Sequence, residues 1–519
     1  MELPQHVIMV AGENDALKNG KVGGVGDVIR DLPRALADIG WTVTVITPSY
    51  GFLHIDNPST QIDTVRFPFG GKTLEGSMYE VTARFPYSGV RNYVFEHSAI
   101  RGTPIYFNDP PGEPFAQDGT KYALFCSAVG EYLKKIPSQF ILHLHDWHAG
   151  MLFFLREMHP NFSHLKKNKT VFTIHNLAIQ GNRPLLGKYA TTEQWFPELF
   201  HDVHWIEQWK DHRFSIPNLT PMAIGIGHAD AVNTVSPTYA EEILLPSDPK
   251  NGKFRGEGLE KILQQAKQGN RLFGILNGCD YPESRIPPRM SFPALCDLII
   301  AEVTKWNSKN PDPVNVEIIG RVQTIRNLKL PILLTSVTRV VEQKIKLLFE
   351  ETSAQTVVID DLCEMLSARN GVYMILGTGT KDYEDRLMER FRTHERCIYL
   401  KGFSETIGNA LYANGTIFMM PSSFEPCGIG QMIAMRDGQP CIVHAVGGLK
   451  DTVIDGVNGF QFFGNSLREQ ADQCLAVTKK AIDIKLNNDN KWQNVVAEAF
   501  RARFTWEKSA KEYVDLLYR

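Results

Sequence analysis

Short β-rich runs alternate with amphipathic helical stretches along the chain, and this alternation restricts it to parallel sheets covered by helices. HVIMVAG (His6–Gly12) reads as a buried strand. A glycine-rich turn follows, then a helix from Asp27 with Val28, Ile29, Leu32, Ala35, Leu36 and Ile39 on one face. Gly40 stops that helix, and WTVTVITP (Trp41–Pro48) supplies the next strand. The same grammar recurs at FILHLHD (Phe140–Asp146), TVFTIHN (Thr170–Asn176) and DAVNTVS (Asp230–Ser236). Beyond FGILNG (Phe273–Gly278) the Pro-rich YPESRIPPRMSFP reads as a domain boundary. A second series is expected to begin with a strand at VEIIGR (Val316–Arg321). It continues through VYMILGTGT (Val372–Thr380), CIYLKGF (Cys397–Phe403), IFMMPSS (Ile417–Ser423) and PCIVHAVGG (Pro440–Gly448). The expected fold class is α/β, with two doubly wound domains over 1–280 and 281–495. Ligand groups should lie in the cleft between them, on loops at the carboxyl ends of the strands.

Length supports this division, because 519 residues exceed what one hydrophobic core organises. Lys and Arg number 55 against 58 Asp and Glu, so no basic excess points to a nucleic-acid partner. No apolar run approaches the length of a membrane span, and the first residues read as a strand rather than a signal peptide. The eight cysteines are scattered without a CxxC pair, which suggests reduced thiols in a cytoplasmic protein.

Four constellations carry chemistry. In GKVGGVGDV (Gly20–Val28), Gly23, Gly24 and Gly26 let backbone amides approach a ligand, the following helix offers its positive end, and Lys21 adds a charge. The spacing is not the GxGxxG of a nicotinamide site. HLHDWHAG (His143–Gly150) packs three His and an Asp into six residues. Trp147 separates Asp146 from the last His, so the HxHxDH metal spacing is missed and no metal site is expected. A polar cluster facing a sugar, or a purely structural one, remains. His175 and Asn176 of TIHNLAIQG (Thr173–Gly181) follow a strand and could bond a polyhydroxylated substrate. Glu425 of PSSFEPCGIGQMIAMRDG (Pro421–Gly438) occupies a strand-to-helix turn where an acid can meet sugar hydroxyls or simply favour the helix dipole. GGLKDTV (Gly447–Val453) repeats the device, and Arg321 with Arg326 reads as a phosphate clamp.

Together these stretches resemble the glycogen/starch synthase family of retaining glucosyltransferases with the GT-B fold. The resemblance runs through KVGGVGDV, HDWHAG, TVFTIHNLAIQG, TVSPTYAEEI (Thr234–Ile243), GILNG, LGTG, FEPCG, GGLKDTV and FTWEKSAKEY, in the family's order. It implies transfer of glucose from ADP-glucose to the nonreducing end of an α-1,4-glucan, with ADP-glucose as donor substrate and no resident cofactor. By the same resemblance Glu425, His175, Asp146, Arg321 and Arg326 serve catalysis. Lys21, Gly23, Gly24, Asn176, Asn277, Gly377, Tyr412, Cys427, Gly428, Gly447, Gly448, Leu449 and Thr452 frame the nucleotide sugar, and a C-terminal helix (496–519) returns to the first domain. Several positions depart from the family. The stretch from Glu13 to Lys21 is about two residues longer, and SRLTxQKG is replaced by GRVQTIRN (Gly320–Asn327). Ser423 and Gly430 stand for a frequent Arg and Thr, the Trp-Asn-Pro after GILNGxDY is missing, and the span from Leu328 to Gly371 is longer. A UDP-glucose donor, a small glucoside product, or a weakly active glucan-binding scaffold are the alternatives.

Overall fold

The computed structural model describes residues 5–107, 109–110, 112–282 and 285–519. The chain divides into two compact units. Unit 1 comprises residues 1–246, 255–277 and 506–519, and unit 2 comprises 247–254 and 278–505.

Unit 1 is built on a nine-stranded sheet. Its parallel part runs, in spatial order, through β11 (Leu272–Gly274), β10 (Ala231–Thr234), β7 (Thr170–Ile174), β6 (Ile141–His145), β1 (His6–Val10), β2 (Thr42–Pro48) and β5 (Val90–Glu96). These are the near-continuous apolar runs that a sheet buried on both faces requires. An antiparallel hairpin, β3 (Ser59–Phe69) and β4 (Lys72–Val81), extends the sheet beside β5. Gly70 and Gly71 both have positive φ in its two-residue turn, the geometry that matches the twist of paired strands. A two-stranded ribbon, β8 (Arg183–Pro184) and β9 (Asn218–Leu219), stands apart. Three helices matter for the site: α1 (Gly24–Asp38), α2 (Ala116–Leu133) and α3 (Asp146–Met158). The helix starts at Gly24, three residues earlier than the apolar pattern placed it. Val28, Leu32 and Leu36 of α1 share a core with Trp506, Tyr513 and Leu517 of the C-terminal helix (Trp506–Tyr513) and its final turn.

Unit 2 carries a six-stranded, all-parallel sheet in the order β14 (Cys397–Lys401), β13 (Val372–Gly377), β12 (Leu333–Val337), β15 (Ile417–Met420), β16 (Cys441–His444) and β17 (Gly459–Phe462). The expected strand at VEIIGR is instead part of a helix. A helical hairpin, α4 (Phe292–Lys309) and α5 (Pro313–Ile325), precedes the sheet. The Asp312 side chain accepts from the Val314 amide at 2.9 Å and Pro313 occupies the first turn, both strong helix starts. Val314, Ile318, Val322 and Ile325 then recur at helical spacing toward the core. The first strand of unit 2 is therefore β12, inside the span read as longer than the family's. Residues 247–254 pack on α12 (Leu467–Asn487), where Gln470 donates to the Asn251 carbonyl at 3.1 Å.

The cysteines are not all free. Cys363 on α7 (Val358–Ser367) and Cys397 at the start of β14 form a disulfide, because helix and strand contribute to one buried core although 34 residues separate them. The other six are buried thiols. Among the described residues no helix is long and apolar enough to cross a membrane, and no three His, Cys, Asp or Glu side chains are arranged to hold a metal.

Candidate active site

The carboxyl edge of the unit 1 sheet gathers three of the expected motifs. After β1 the chain turns at Glu13, which is fully buried. One carboxylate oxygen accepts from the Val22 and Gly23 amides at 2.7 and 2.6 Å, and the other accepts from the Tyr106 hydroxyl at 2.6 Å. Gly23 caps α1 without a side-chain acceptor, and Glu13 takes up the amide of this capping residue. Lys21 pairs with Asp27 at 2.6 Å and keeps a partly exposed ammonium.

At the end of β6, Asp146 holds a left-handed backbone (φ 56°) and opens α3. Its carboxylate accepts from the His175 amide at 2.7 Å and the Asn176 amide at 3.5 Å, tying the β6 and β7 loops together. Burial pushes Asp146 up to about 7. His145 Nδ1 and His175 Nε2 lie 3.0 Å apart, and burial drives His175 down to about 3, so this pair is neutral. His143 is structural. It bonds the Tyr518 hydroxyl at 2.9 Å and Thr173 at 2.7 Å, and thus fastens the C-terminal turn to the sheet. Trp147 is packed against Gly181 and lies 5.4 Å from Tyr122, so it is buried rather than presented as a stacking surface. Asn176 is half-buried, and Asn277, just beyond β11, has a buried side-chain oxygen with no partner in the protein.

In unit 2, Glu425 sits in the turn between β15 and α10 (Gly430–Arg436), almost completely buried. It pairs with Lys344 of the four-residue helix α6 (Glu342–Ile345) and accepts from the Ser422 hydroxyl at 3.2 Å. Gln343 clamps the same turn, because its side chain donates to the Phe424 carbonyl at 2.9 Å and its own carbonyl accepts from the Ser423 amide at 3.0 Å. The turn opening α11 (Gly447–Thr452) lies against it. A Cβ on Gly447 would overlap the Glu425 carbonyl, and one on Gly448 the Cys427 carbonyl, so only glycine permits this approach. Gln431 closes the assembly by donating to the carbonyls of Cys427 and Gly428 at 3.2 and 3.0 Å and to the Thr452 hydroxyl at 3.2 Å. Gly428 has φ 76°, and Leu449 is buried beneath the turn. At the end of β13 a Cβ on Gly377 would meet the Thr338 carbonyl, so the loops after β12 and β13 also touch through glycine.

Two expected residues are not at this edge. Arg321 lies on α5 and donates to the carbonyls of Phe391, His394 (2.7 Å) and Cys397 (2.9 Å), at the amino end of β14. Arg326, which caps the carboxyl end of that helix, makes a bidentate pair with Asp297 at 2.6 and 2.7 Å on the surface. Tyr412, on α9 (Glu405–Asn414), is buried with its ring 5.1 Å from Phe418 and its hydroxyl beside Gly430 at the start of α10. The phosphate-clamp reading of Arg321 and Arg326 is thus corrected: a helix was mistaken for the strand that should deliver them.

A family model described as starch synthase catalytic domain matches residues 6–265, and one described as glycosyl transferases group 1 matches residues 346–480. The glycogen synthase of Desulfitobacterium hafniense is 32% identical over 518 residues, covering 96% of this chain and 95% of its own length. The glycogen synthase of Bacillus subtilis is 31% identical, covering 95% and 94%. The chain belongs to the glycogen/starch synthase family. The catalytic domain of starch synthase IV from Arabidopsis thaliana, solved bound to ADP and acarbose, superposes with a TM-score of 0.73 at 22% identity over 99% of this chain and 98% of that one. The fold is GT-B, made of two Rossmann-like units.

Within the family, the SRLTxQKG pattern falls on TRVVEQKI (Thr338–Ile345), directly after β12, and keeps its Arg, Gln and Lys as Arg339, Gln343 and Lys344. Sequence reading missed these because β12 was hidden in the long span, although the QK pair was a visible signal. It also passed over Phe403, 85% exposed just past the carboxyl end of β14.

Proposed function

We propose that the chain transfers glucose from ADP-glucose to the nonreducing 4-OH of an α-1,4-glucan with retention, as a cytoplasmic enzyme needing no bound metal. The observation that carries this reading is the Glu425–Lys344 pair, held at the carboxyl edge of the unit 2 sheet by glycine-only backbone contacts. Breaking the bond between glucose and diphosphate puts negative charge on a phosphate oxygen and positive character on the sugar ring. Lys344 and exposed Arg339 supply preorganised cations for the first, and Glu425 supplies a carboxylate for the sugar. Gly447 and Gly448 let backbone amides approach the phosphates, and the exposed Phe403 ring supplies a face for the nucleobase. Within unit 1, Asp146, His175, Asn176 and the unpartnered Asn277 oxygen are groups suited to sugar hydroxyls, and Lys21 is a cation suited to a phosphate.

The test is transfer of labelled glucose from ADP-glucose and from UDP-glucose, with and without glycogen primer and with and without EDTA. Primer-dependent, EDTA-resistant transfer favouring ADP-glucose and giving α-linked product is expected. Equal or better kcat/KM with UDP-glucose overturns the donor assignment, and primer-independent transfer overturns the acceptor.

A further inference from the structure

The glycine-rich loop of unit 1 is braced by a side chain that no motif singled out. Glu13 is 1% exposed, and its hydrogen bonds come from two backbone amides and one phenol: Val22, Gly23 and Tyr106. A buried carboxylate needs such partners, and bonds to a charged acceptor are the strong ones. The loop is also shaped to the carboxylate. A Cβ on Gly23 would lie 3.3 Å from one Glu13 oxygen and a Cβ on Gly26 3.2 Å from the other, so both positions crowd any larger side chain.

Tyr106 is itself anchored. Lys121 of α2 donates to the carbonyls of Pro104 and Ile105, each at 2.8 Å, and the Tyr122 hydroxyl donates to Ile105 at 2.8 Å. Lys121 pairs with Asp118 at 2.6 Å and lies 5.3, 4.7 and 4.9 Å from the ring centres of Tyr50, Phe107 and Tyr122. Asp118 in turn accepts from the Phe107 amide at 3.0 Å. The segment carrying Tyr106 is therefore bolted to a helix, and its ring stacks on His148 of α3 at 5.0 Å. The Tyr106 hydroxyl thus connects a rigid part of the unit to the loop through Glu13.

We propose that Tyr106 and Glu13 are positioning residues: together they fix the glycine-rich loop in the shape that receives the donor's diphosphate. Glu13 accepts only from the Val22 and Gly23 amides, which precede α1, so the amides of the helix's own first turn are left for an anion. The inference rests on the donor reading above. Loss of the Tyr106 hydroxyl removes one charge-assisted bond while leaving the ring packed, which loosens the loop without opening a cavity.

The experiment compares the full-length protein with Tyr106→Phe, Glu13→Gln and Glu13→Ala. It measures kcat, donor KM at saturating glycogen, glycogen half-saturation, melting temperature, and amide exchange over Val22–Gly26. Tyr106→Phe should raise donor KM by about tenfold with little change in kcat or in glycogen half-saturation, at an unchanged melting temperature, and should speed exchange at Val22 and Gly23. Glu13→Gln should be milder than Glu13→Ala, because its amide oxygen can still accept from the loop and its nitrogen can donate to Tyr106. Wild-type donor KM in Tyr106→Phe overturns the inference while leaving the function intact. So does a fall in melting temperature with normal kinetics per folded molecule. No turnover by the wild-type protein from ADP-glucose or UDP-glucose removes the donor reading itself, and the inference with it.

Discussion

Unit 2 carries two pairs of cations with the same five-residue spacing, Arg321 with Arg326 and Arg339 with Lys344, and the fold gives them opposite uses. The first pair lies on α5 and at its carboxyl cap. There Arg321 satisfies three carbonyls around the amino end of β14, and Arg326 meets Asp297 on the surface. The second pair follows β12 at its carboxyl end, where Lys344 meets Glu425 and Arg339 is left exposed. In a parallel sheet the loops at carboxyl ends converge on ligands while the amino ends close the structure. Spacing and charge are therefore uninformative until the strand that carries them is known. The same contrast holds along β14 alone, with Arg321 at one end and Phe403 at the other.

The largest effect expected from this contrast is at Lys344 and Glu425. Lys344→Ala or Glu425→Gln should each lower kcat by roughly a hundredfold to a thousandfold, the usual loss of a preorganised electrostatic group. The double variant should be hardly worse than the worse single one, because the two side chains act as a unit. Since breaking a buried ion pair costs about 3–5 kcal/mol, rates must be taken per folded molecule. Additive losses in the double-mutant cycle would break the unit apart.

Arg321→Ala should do the reverse. It strips a charged donor from three carbonyls and should cost roughly 2 kcal/mol in unfolding free energy, seen as a lower melting temperature. kcat and donor KM per folded molecule should stay within about twofold of wild type, the scatter expected when no transition-state contact is removed. A donor KM that rises with an unchanged melting temperature would place Arg321 with the reacting groups and erase the comparison.

Why the sequence misled at this point is physical. VEIIGR has three apolar, β-branched residues in six, which reads as a strand in isolation. Its helical start, Asp312–Pro313, lies outside that window. Most parallel strands were legible because burial on both faces demands continuous apolar runs. The β3–β4 hairpin was not, although Gly70–Gly71 marks its turn, because alternating exposed strands lack that signal. At the site, Glu425 and the Gly447–Gly448 turn were legible through glycines whose absence of a Cβ is a steric requirement. Tyr412 shows the limit: an amphipathic residue reads the same whether its ring faces a ligand or, as here, packs against Phe418.

Phe403 sharpens the contrast along β14 more gently. Removing an exposed ring that stacks on a base costs roughly 1–3 kcal/mol, so Phe403→Ala should raise donor KM on the order of tenfold. Phe403→Tyr should retain most of the affinity, and melting temperature should not move, since the ring contributes little to the core. A wild-type KM in Phe403→Ala would leave the carboxyl edge of β14 without a role in donor binding.

The smallest effect belongs to Arg326, and its smallness is the sharpest check on the comparison. Arg326 matches the family's Lys only if GRVQTIRN is the phosphate-binding segment; in the fold it caps the carboxyl end of α5 and its fork meets Asp297. Both side chains of that pair are substantially exposed. An ion pair in water gains little, because screening and the entropy of holding two long side chains offset the attraction, so such pairs contribute about 0–1 kcal/mol. Arg326→Ala should therefore shift unfolding free energy by no more than about 0.5 kcal/mol and leave kcat and both KM values at wild type. Arg326→Lys should be indistinguishable from it. Lys344→Ala, measured beside it, supplies the contrast, since the two cations differ in which end of a strand they follow and in what they face. A loss in Arg326→Ala comparable to that in Lys344→Ala would mean that spacing in sequence, rather than placement on the sheet, had identified the donor's cation.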